Sequence, residues 1–123
     1  MDLDRAGVRL VIPGELPTLN EYIRAERSNR FQAASLKKKT QEHIKLILWA
    51  QCRRLHFDRP VTLHFVWTVK NRKKDKDNIA FAKKFIQDSL LEMDVLNNDG
   101  WNDINGFTDS FRIGDPKVEV YIE

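Results

Sequence analysis

Two aspartates one residue apart, Asp75 and Asp77, lie in the segment KKDKDNIAFAKK and are surrounded by lysines. In an extended segment, side chains at positions i and i+2 point the same way, so the two carboxylates can converge on one cation. Such oxygen ligands suit Mg²⁺ or Mn²⁺, which keep several waters and bind only a few carboxylates. The pair therefore predicts a divalent metal site within a cluster of positive charge.

A third carboxylate is available from Asp99, in the turn-forming stretch NNDGWND. If the sheet brings this turn beside the helix that follows Asp77, the three aspartates form a cup for the metal. On a helical wheel Lys84 falls close to Asp77 and Asp88, on the polar face of that helix. From there its ammonium group would balance developing negative charge or hold a phosphate.

Each of these residues also has a purely structural interpretation. Asp77, followed by Asn78, is a good helix N-cap, and the helix dipole favours a carboxylate there without any metal. Asp99 stands among turn-forming residues. Lys84 and Asp88 have the spacing of a surface ion pair, worth only about 0.5 kcal/mol. The metal hypothesis therefore depends on the combination of residues.

Basic residues are concentrated in three segments, at 36–40, 52–59 and 70–77, although the net charge is only +3. Such clusters suit a polyanion, because each neutralised phosphate releases counterions. They also suit solubility alone. The residues expected to contact nucleic acid are Lys37, Lys38, Lys39, Arg72, Lys73, Lys74, Lys76 and Lys83.

The length and composition indicate one globular domain spanning 1–123, with 41% hydrophobic and 32% charged residues. No apolar run approaches the ~20 residues that cross a bilayer, and the first residues lack a signal-peptide core, so we expect a cytoplasmic protein without membrane contact. The single Cys52 excludes an intrachain disulfide and is expected to be buried. The sequence has no Gly-rich phosphate loop, and no organic cofactor is expected.

Hydrophobic periodicity predicts a mixed α/β (α+β) fold. Its order is strand, helix, strand, helix and two strands, which predicts a small mixed sheet of about four strands with helices packed on it. Strands are predicted at 8–12, 61–70, 106–113 and 117–122, and helices at 33–55 and 78–93, with a short helix starting near Thr18.

The central third of the chain resembles the RusA family of Holliday junction resolvases. The resemblance is carried by Asp75-x-Asp77-Asn78, a helical lysine, Asp88-x-Leu and the acidic turn at Asp99. The N-terminal VIPGELPTLNEYIRAER agrees more loosely with the family's first strand and proline-rich turn. The resemblance implies a homodimer that binds four-way junction DNA and nicks two opposed strands with Mg²⁺ or Mn²⁺, in recombination and repair.

By position, the resemblance implies that the three aspartates bind the metal and that Lys84 is the catalytic lysine. In better-known members the lysine follows the motif by about one helical turn. Here Phe81 occupies that position and Lys84 comes three residues later, so an extra near-turn of helix is expected after Asn78. Lys83 is a rival for the role.

Two other functions agree with the same residues. One is a catalytically silent nucleic-acid-binding module that keeps the fold and the basic faces. The other is a nuclease that prefers flaps or replication forks to four-way junctions.

Overall fold

A computed structural model describes residues 7–123 of the chain. In this range the chain forms four strands and four helices, so the predicted α+β class is confirmed. In chain order the elements are β1 (Val8–Pro13), α1 (Leu19–Ser28), α2 (Arg30–Cys52), β2 (Val61–Val69), α3 (Lys76–Ala80), α4 (Lys83–Glu92), β3 (Ile104–Ile113) and β4 (Lys117–Ile122). None of the helices in the described range is long and apolar enough to cross a membrane.

The four strands form one mixed sheet in the order β1-β4-β2-β3. The pairs β1–β4 and β2–β4 are antiparallel, whereas β2 and β3 are parallel. A parallel pair needs a long crossover, which α3, α4 and the loop after them supply. The predicted mixed sheet of about four strands is therefore present, and β2 has a hydrogen-bonded neighbour on each side.

Strand β2 is buried on both of its faces. Phe65 and Trp67 point into the main hydrophobic core, as the alternating pattern predicts. On the opposite face His64 and Val66 are only 2% and 1% exposed. The ring of His64 is held there by a hydrogen bond of 2.6 Å between its Nδ1 and Oγ1 of Thr108 on β3. Burial on both faces fixes the register of β2, since a slip of one residue would exchange the two sets of side chains.

Helix α2 covers the sheet with an apolar inner face. The predicted helix at 33–55 is present but begins and ends three residues earlier. Ile44, Leu48 and Cys52 recur along its inner face and join the core together with Leu90 of α4. Burial raises the pKa of the Cys52 thiol, which therefore stays protonated as a packing group, as predicted for this residue.

The prediction of a single helix at 78–93 is wrong, because the chain forms two helices that are separated by Phe81 and Ala82. Tertiary contacts cause this interruption. The Phe81 ring lies 5.4 Å from the Tyr22 ring and 5.5 Å from the Phe85 ring, and Ala82 is 1% exposed. Bending the helix there buries Ala82 in the core and packs the partly buried Phe81 against α1. The helical wheel that placed Lys84 on the same face as Asp77 assumed one continuous helix, so this placement does not hold across the interruption.

A charged cluster joins β1 and β4, the first and last of these strands in chain order. Arg9 Nε on β1 donates to Glu119 Oε2 on β4 at 2.9 Å, and the Tyr121 hydroxyl donates to the same oxygen at 2.9 Å. Burial alone would raise the pKa of Glu119, but the hydrogen bonds from Arg9 and Tyr121 outweigh it and lower the pKa. The hydrogen bond to Glu119 also raises the pKa of Arg9.

Replacing Phe85 by alanine should lower the free energy of unfolding by about 3–5 kcal/mol, because it leaves a cavity between α1 and α4. Phe31, which is 70% exposed at the start of α2, is the matched control. Replacing Phe31 by alanine should change the free energy of unfolding by about 0.5 kcal/mol or less. Urea denaturation measures both, and equal losses would contradict the packing described.

The lowered pKa of Glu119 predicts a pH-dependent contribution to stability. This contribution is fully present above the unfolded value of 4.5 and is lost as the pH falls through the lower folded value. The unfolding free energies of the wild type and Glu119→Gln should therefore differ at neutral pH and converge in acid. Glu26→Gln, at an exposed position on α1, is the control and should follow the wild type throughout.

Candidate metal and nucleic-acid site

The predicted aspartate pair lies at the start of α3, beyond the end of β2. Asp75 occupies the N-cap position with an extended backbone, but its side chain makes no capping hydrogen bond. Asp77 lies in the first turn, where its Oδ1 accepts the backbone N–H of Asn78 at 2.9 Å. The N-cap interpretation of Asp77 is therefore wrong. Only Asp75 is extended, so the geometry expected for two extended residues does not apply.

Both carboxylates line a cavity of about 790 Å³ at this end of β2 and β3. Both aspartates are exposed, so their oxygens are accessible to a ligand. We call this space the motif cavity. The charged residues of its lining are Asp75, Asp77, Arg72, Lys74, Lys76 and Arg112. Four cationic side chains thus accompany two anionic ones, a balance that favours an anionic ligand.

Two of the cations in the motif cavity are held by neighbouring groups. Lys74 Nζ lies 3.4 Å from a carboxylate oxygen of Glu15 and 3.8 Å from one of Glu21. Lys76 Nζ lies 5.7 Å from the centre of the Phe111 ring, in cation–π contact. These contacts place the two ammonium groups at the rim while leaving them partly accessible to solvent.

Lys84 lies in a second group of charges. Its Nζ is 3.1 Å from Asp88 Oδ1 and 4.0 Å from Asp99 Oδ2. Asp88 has two further partners: its Oδ2 lies 3.6 Å from Lys37 Nζ and 3.4 Å from Gln41 Nε2. We call Lys37, Lys84, Asp88 and Asp99 the Lys84 cluster. The predicted Lys84–Asp88 pair is present, and Asp99 lies beside the predicted catalytic lysine.

The structure brings Asp75 to the same cavity as Asp77 but places Asp99 in the other group. The chain leaves α4 through Asp94, whose left-handed φ of 59° reverses its direction. The returning loop puts Asp99 against Lys84. Within residues 7–123, no three His, Cys, Asp or Glu residues are arranged to hold a metal ion. The metal cup of three aspartates therefore stays a prediction.

The motif cavity nevertheless offers donors of the right kind for a divalent ion. Mg²⁺ retains several waters and is often bound by only one or two carboxylates together with phosphate oxygens of the substrate. Asp75 and Asp77 supply two carboxylates, and the Asp75 side chain is not used by the helix it precedes. The residues present thus fit a Mg²⁺ or Mn²⁺ ion held by this pair.

Lys83, predicted to contact nucleic acid and a rival of Lys84, is engaged elsewhere. Its Nζ lies 2.6 Å from Asp109 Oδ2 and over the rings of Phe65 and Phe107, at 5.5 and 5.2 Å. The other oxygen of Asp109 accepts the Trp67 indole N–H at 2.8 Å. Lys83 is thus fixed on the sheet, and Lys84, with 57% of its side chain exposed, is the lysine that lies beside the acidic turn.

Two features of the site were missed in the sequence. Asp109 lies with Asp77 and Lys83 around a second opening, of about 570 Å³. The sequence does indicate Asp109, because this charged residue lies on the same face of its strand as the aromatic residues two positions away. Asn78 of the motif accepts the backbone N–H of Asn20 at 2.9 Å through its Oδ1, so it ties α3 to the start of α1.

The other residues expected to contact nucleic acid lie on two surfaces. Arg72, in the lining of the motif cavity, and its neighbour Lys73 are exposed, whereas Lys38 and Lys39 are exposed on α2. Within residues 7–123 none of these four side chains forms an ion pair. Their charges are thus available to a polyanion.

Comparison of the chain with models of known protein families gives no match, and no curated protein matches it. The resemblance to the RusA family therefore depends on the residues of the motif and on their order.

The different surroundings of the two lysines predict different effects on stability. Lys83→Ala should lower the free energy of unfolding by about 1–2 kcal/mol, because it removes the partner of Asp109 and two cation–π contacts. Lys84→Ala should change it by about 0.5 kcal/mol or less, since its ion pairs are exposed. Urea denaturation at one protein concentration measures both. A larger loss for Lys84→Ala would contradict these assignments.

Proposed function

We propose that the chain is a metal-dependent endodeoxyribonuclease of the RusA type, which resolves Holliday junctions by paired nicking of DNA in recombination and repair. The observation that carries the proposal is the motif cavity. There, Asp75, whose side chain makes no capping hydrogen bond, and the exposed Asp77 lie among four cationic side chains. A phosphodiester beside a metal requires both signs of charge, and the lining of the motif cavity supplies both.

In this proposal the cations of the motif cavity hold the DNA backbone. Arg72 and Arg112 contribute fixed positive charge, and Lys74 and Lys76 are held at the rim by their contacts. Asp75 and Asp77 are the residues that would hold Mg²⁺ or Mn²⁺. When bound, such an ion supplies an activated water and stabilises the leaving oxygen in phosphodiester hydrolysis.

Lys84 has a separate role in the proposed reaction. Asp88 and Asp99 orient its ammonium group, which stays more than half exposed. A cation held in this way would contact a phosphate and offset negative charge that develops during hydrolysis. The proposal also includes a homodimer, because a twofold axis would match paired incisions on a symmetric junction. The expected compartment is the cytoplasm.

A second candidate is a silent nucleic-acid-binding module with the same fold. Two observations favour it: Asp99 lies against Lys84, and residues 7–123 contain no group of three potential metal ligands. Such a module would use the basic surfaces alone. It would bind DNA with a strong salt dependence and would cut none.

Asp75→Asn should lower the rate of junction cleavage about 100-fold or more, while the affinity for DNA stays equal or increases. The reason is that the substitution removes a metal ligand and a negative charge near the phosphates. Cleavage is measured on synthetic four-way, forked and linear duplexes with Mg²⁺, Mn²⁺ or EDTA, and binding is measured by fluorescence anisotropy in EDTA.

Asp94→Asn is the matched control, because asparagine tolerates the left-handed backbone of this exposed position. It should cut at the wild-type rate. Loss of binding together with cleavage in Asp75→Asn would contradict the assigned role. Absence of metal-dependent nicking on every substrate would favour the silent module, and preferential cutting of forks would favour a fork-selective nuclease.

A further inference from the structure

His56 connects the loop between α2 and β2 to the segment that follows α4. Its Nδ1 lies 2.6 Å from the backbone oxygen of Asp94, and its Nε2 lies 2.8 Å from Oδ1 of Asp58. The ring is held at both nitrogens although 35% of the side chain is exposed. The proposed reaction gives no role to any of these groups. We call His56, the Asp58 carboxylate and the Asp94 backbone oxygen the His56 clasp.

Both ring nitrogens of His56 face oxygens that only accept hydrogen bonds. One oxygen belongs to a backbone carbonyl and the other to a carboxylate. A neutral imidazole has a single N–H and donates to one of them, whereas the imidazolium ion has two and donates to both. The complete clasp therefore requires a protonated ring. In a neutral ring one nitrogen lone pair would face an oxygen, and that contact would open.

The groups around His56 favour its protonated form. The hydrogen bond to the Asp94 backbone, and then the one to Asp58, raise the pKa of His56 above its ordinary value of 6.5. The Asp94 carboxylate, with Oδ1 at 3.8 Å from Nδ1, adds a smaller attraction. Within residues 7–123 no lysine or arginine pairs with either carboxylate, and Arg59 of the same loop lies over the Phe57 ring. The clasp is thus complete below pH 6.5 and opens as the pH rises through the raised value.

The clasp reaches the acidic turn through Asp58. The Oδ1 atom that accepts from His56 also accepts from Asn97 Nδ2, at 3.4 Å. Asn97 stands two residues before Asp99, whose Oδ2 lies 4.0 Å from Lys84 Nζ. The protonation of His56 is therefore connected, through one shared carboxylate oxygen, to the turn that carries Asp99.

Hydrophobic packing fixes the start of this segment but not the turn itself. Val95 and Leu96 are 0% and 3% exposed, and the Phe57 N–H donates to the Val95 oxygen at 2.9 Å. The next three residues, 97–99, are all exposed. Their placement depends on polar contacts, and the contact from Asn97 to Asp58 is the one that leads to the clasp.

We propose that His56 is a positioning residue whose imidazolium form keeps Asp99 beside Lys84. It does so by holding the Asp58 carboxylate towards the side chain of Asn97. The arrangement of the Lys84 cluster then depends on pH. The catalytic part of this inference rests on the proposed function, whereas the clasp itself involves neither DNA nor metal. Its hydrogen bonds lie at the surface, where ion pairs contribute little to stability, so the clasp orients the turn more than it stabilises the fold.

A pH titration followed by NMR spectroscopy, without DNA or metal, tests the clasp. The His56 ring of the wild type should titrate with a midpoint above 6.5, and Asp58→Asn should lower this midpoint because it removes a negative charge beside the ring. The backbone amide signals of Asn97 and Asp99 should shift with the same midpoint. In His56→Gln, which has no titrating ring, this shift should be lost. His43→Gln, at an exposed position on α2, is the control and should leave the shift unchanged.

The pH profile of junction cleavage tests the positioning role. Dividing the wild-type rate by that of His56→Gln at each pH cancels changes in the reaction that do not involve the ring. The ratio should be about 10-fold at pH 6 and fall towards 1 at about pH 9, where the wild-type ring is neutral as well. The corresponding ratio for His43→Gln should stay close to 1 throughout.

Three results would overturn the inference. They are a His56 midpoint at or below 6.5, amide signals of Asn97 and Asp99 that do not follow the ring, and a cleavage ratio that does not change with pH. Circular dichroism and urea denaturation establish that each variant is folded. If the wild type cuts no DNA, the proposed function fails, and the NMR titration still decides whether His56 holds the turn.

Discussion

The burial of β2 on both faces is the constraint on which the rest of the structure depends. It gives the sheet a fixed register, because every residue of the strand is matched to a distinct environment. That register sets Phe65 opposite Asp109 on β3 and opposite Val120 on β4. The end of β2 at Val69 then determines where the loop with Asp75 emerges. The position of the motif cavity is thus a consequence of core packing.

The break between α3 and α4 determines how the charges are divided. Had the helix continued, Asp77 and Lys84 would lie on one face. Instead the contacts of Phe81 with α1 turn the chain, and the two aspartates line one cavity while Lys84 lies with Asp99. Carboxylates and cationic side chains thus lie in two sets, each with both signs of charge.

Much of the fold could be predicted from the sequence, because the information was local. The alternation in β2 and the apolar repeat of α2 reflect the period of each element and its buried face. The interruption at Phe81 could not be predicted, since it depends on a ring in α1. The position of Asp99 was equally hidden. Turn-forming residues indicate that the chain reverses, but they do not give its direction afterwards. Asp109 was overlooked because a strand with few apolar residues resembles an exposed edge.

The strand order has a consequence for biosynthesis. The strand β4 follows the other three in the chain but lies between β1 and β2, so these two earlier strands have no direct pairing with each other. Domains fold as the ribosome releases them, beginning from the N-terminus, but this sheet lacks a middle strand until Ile122 has emerged. Until then, β1 and β2 present unpaired backbone groups that are able to pair with other chains. The nascent chain therefore has a period of exposure to aggregation that ends only when β4 inserts.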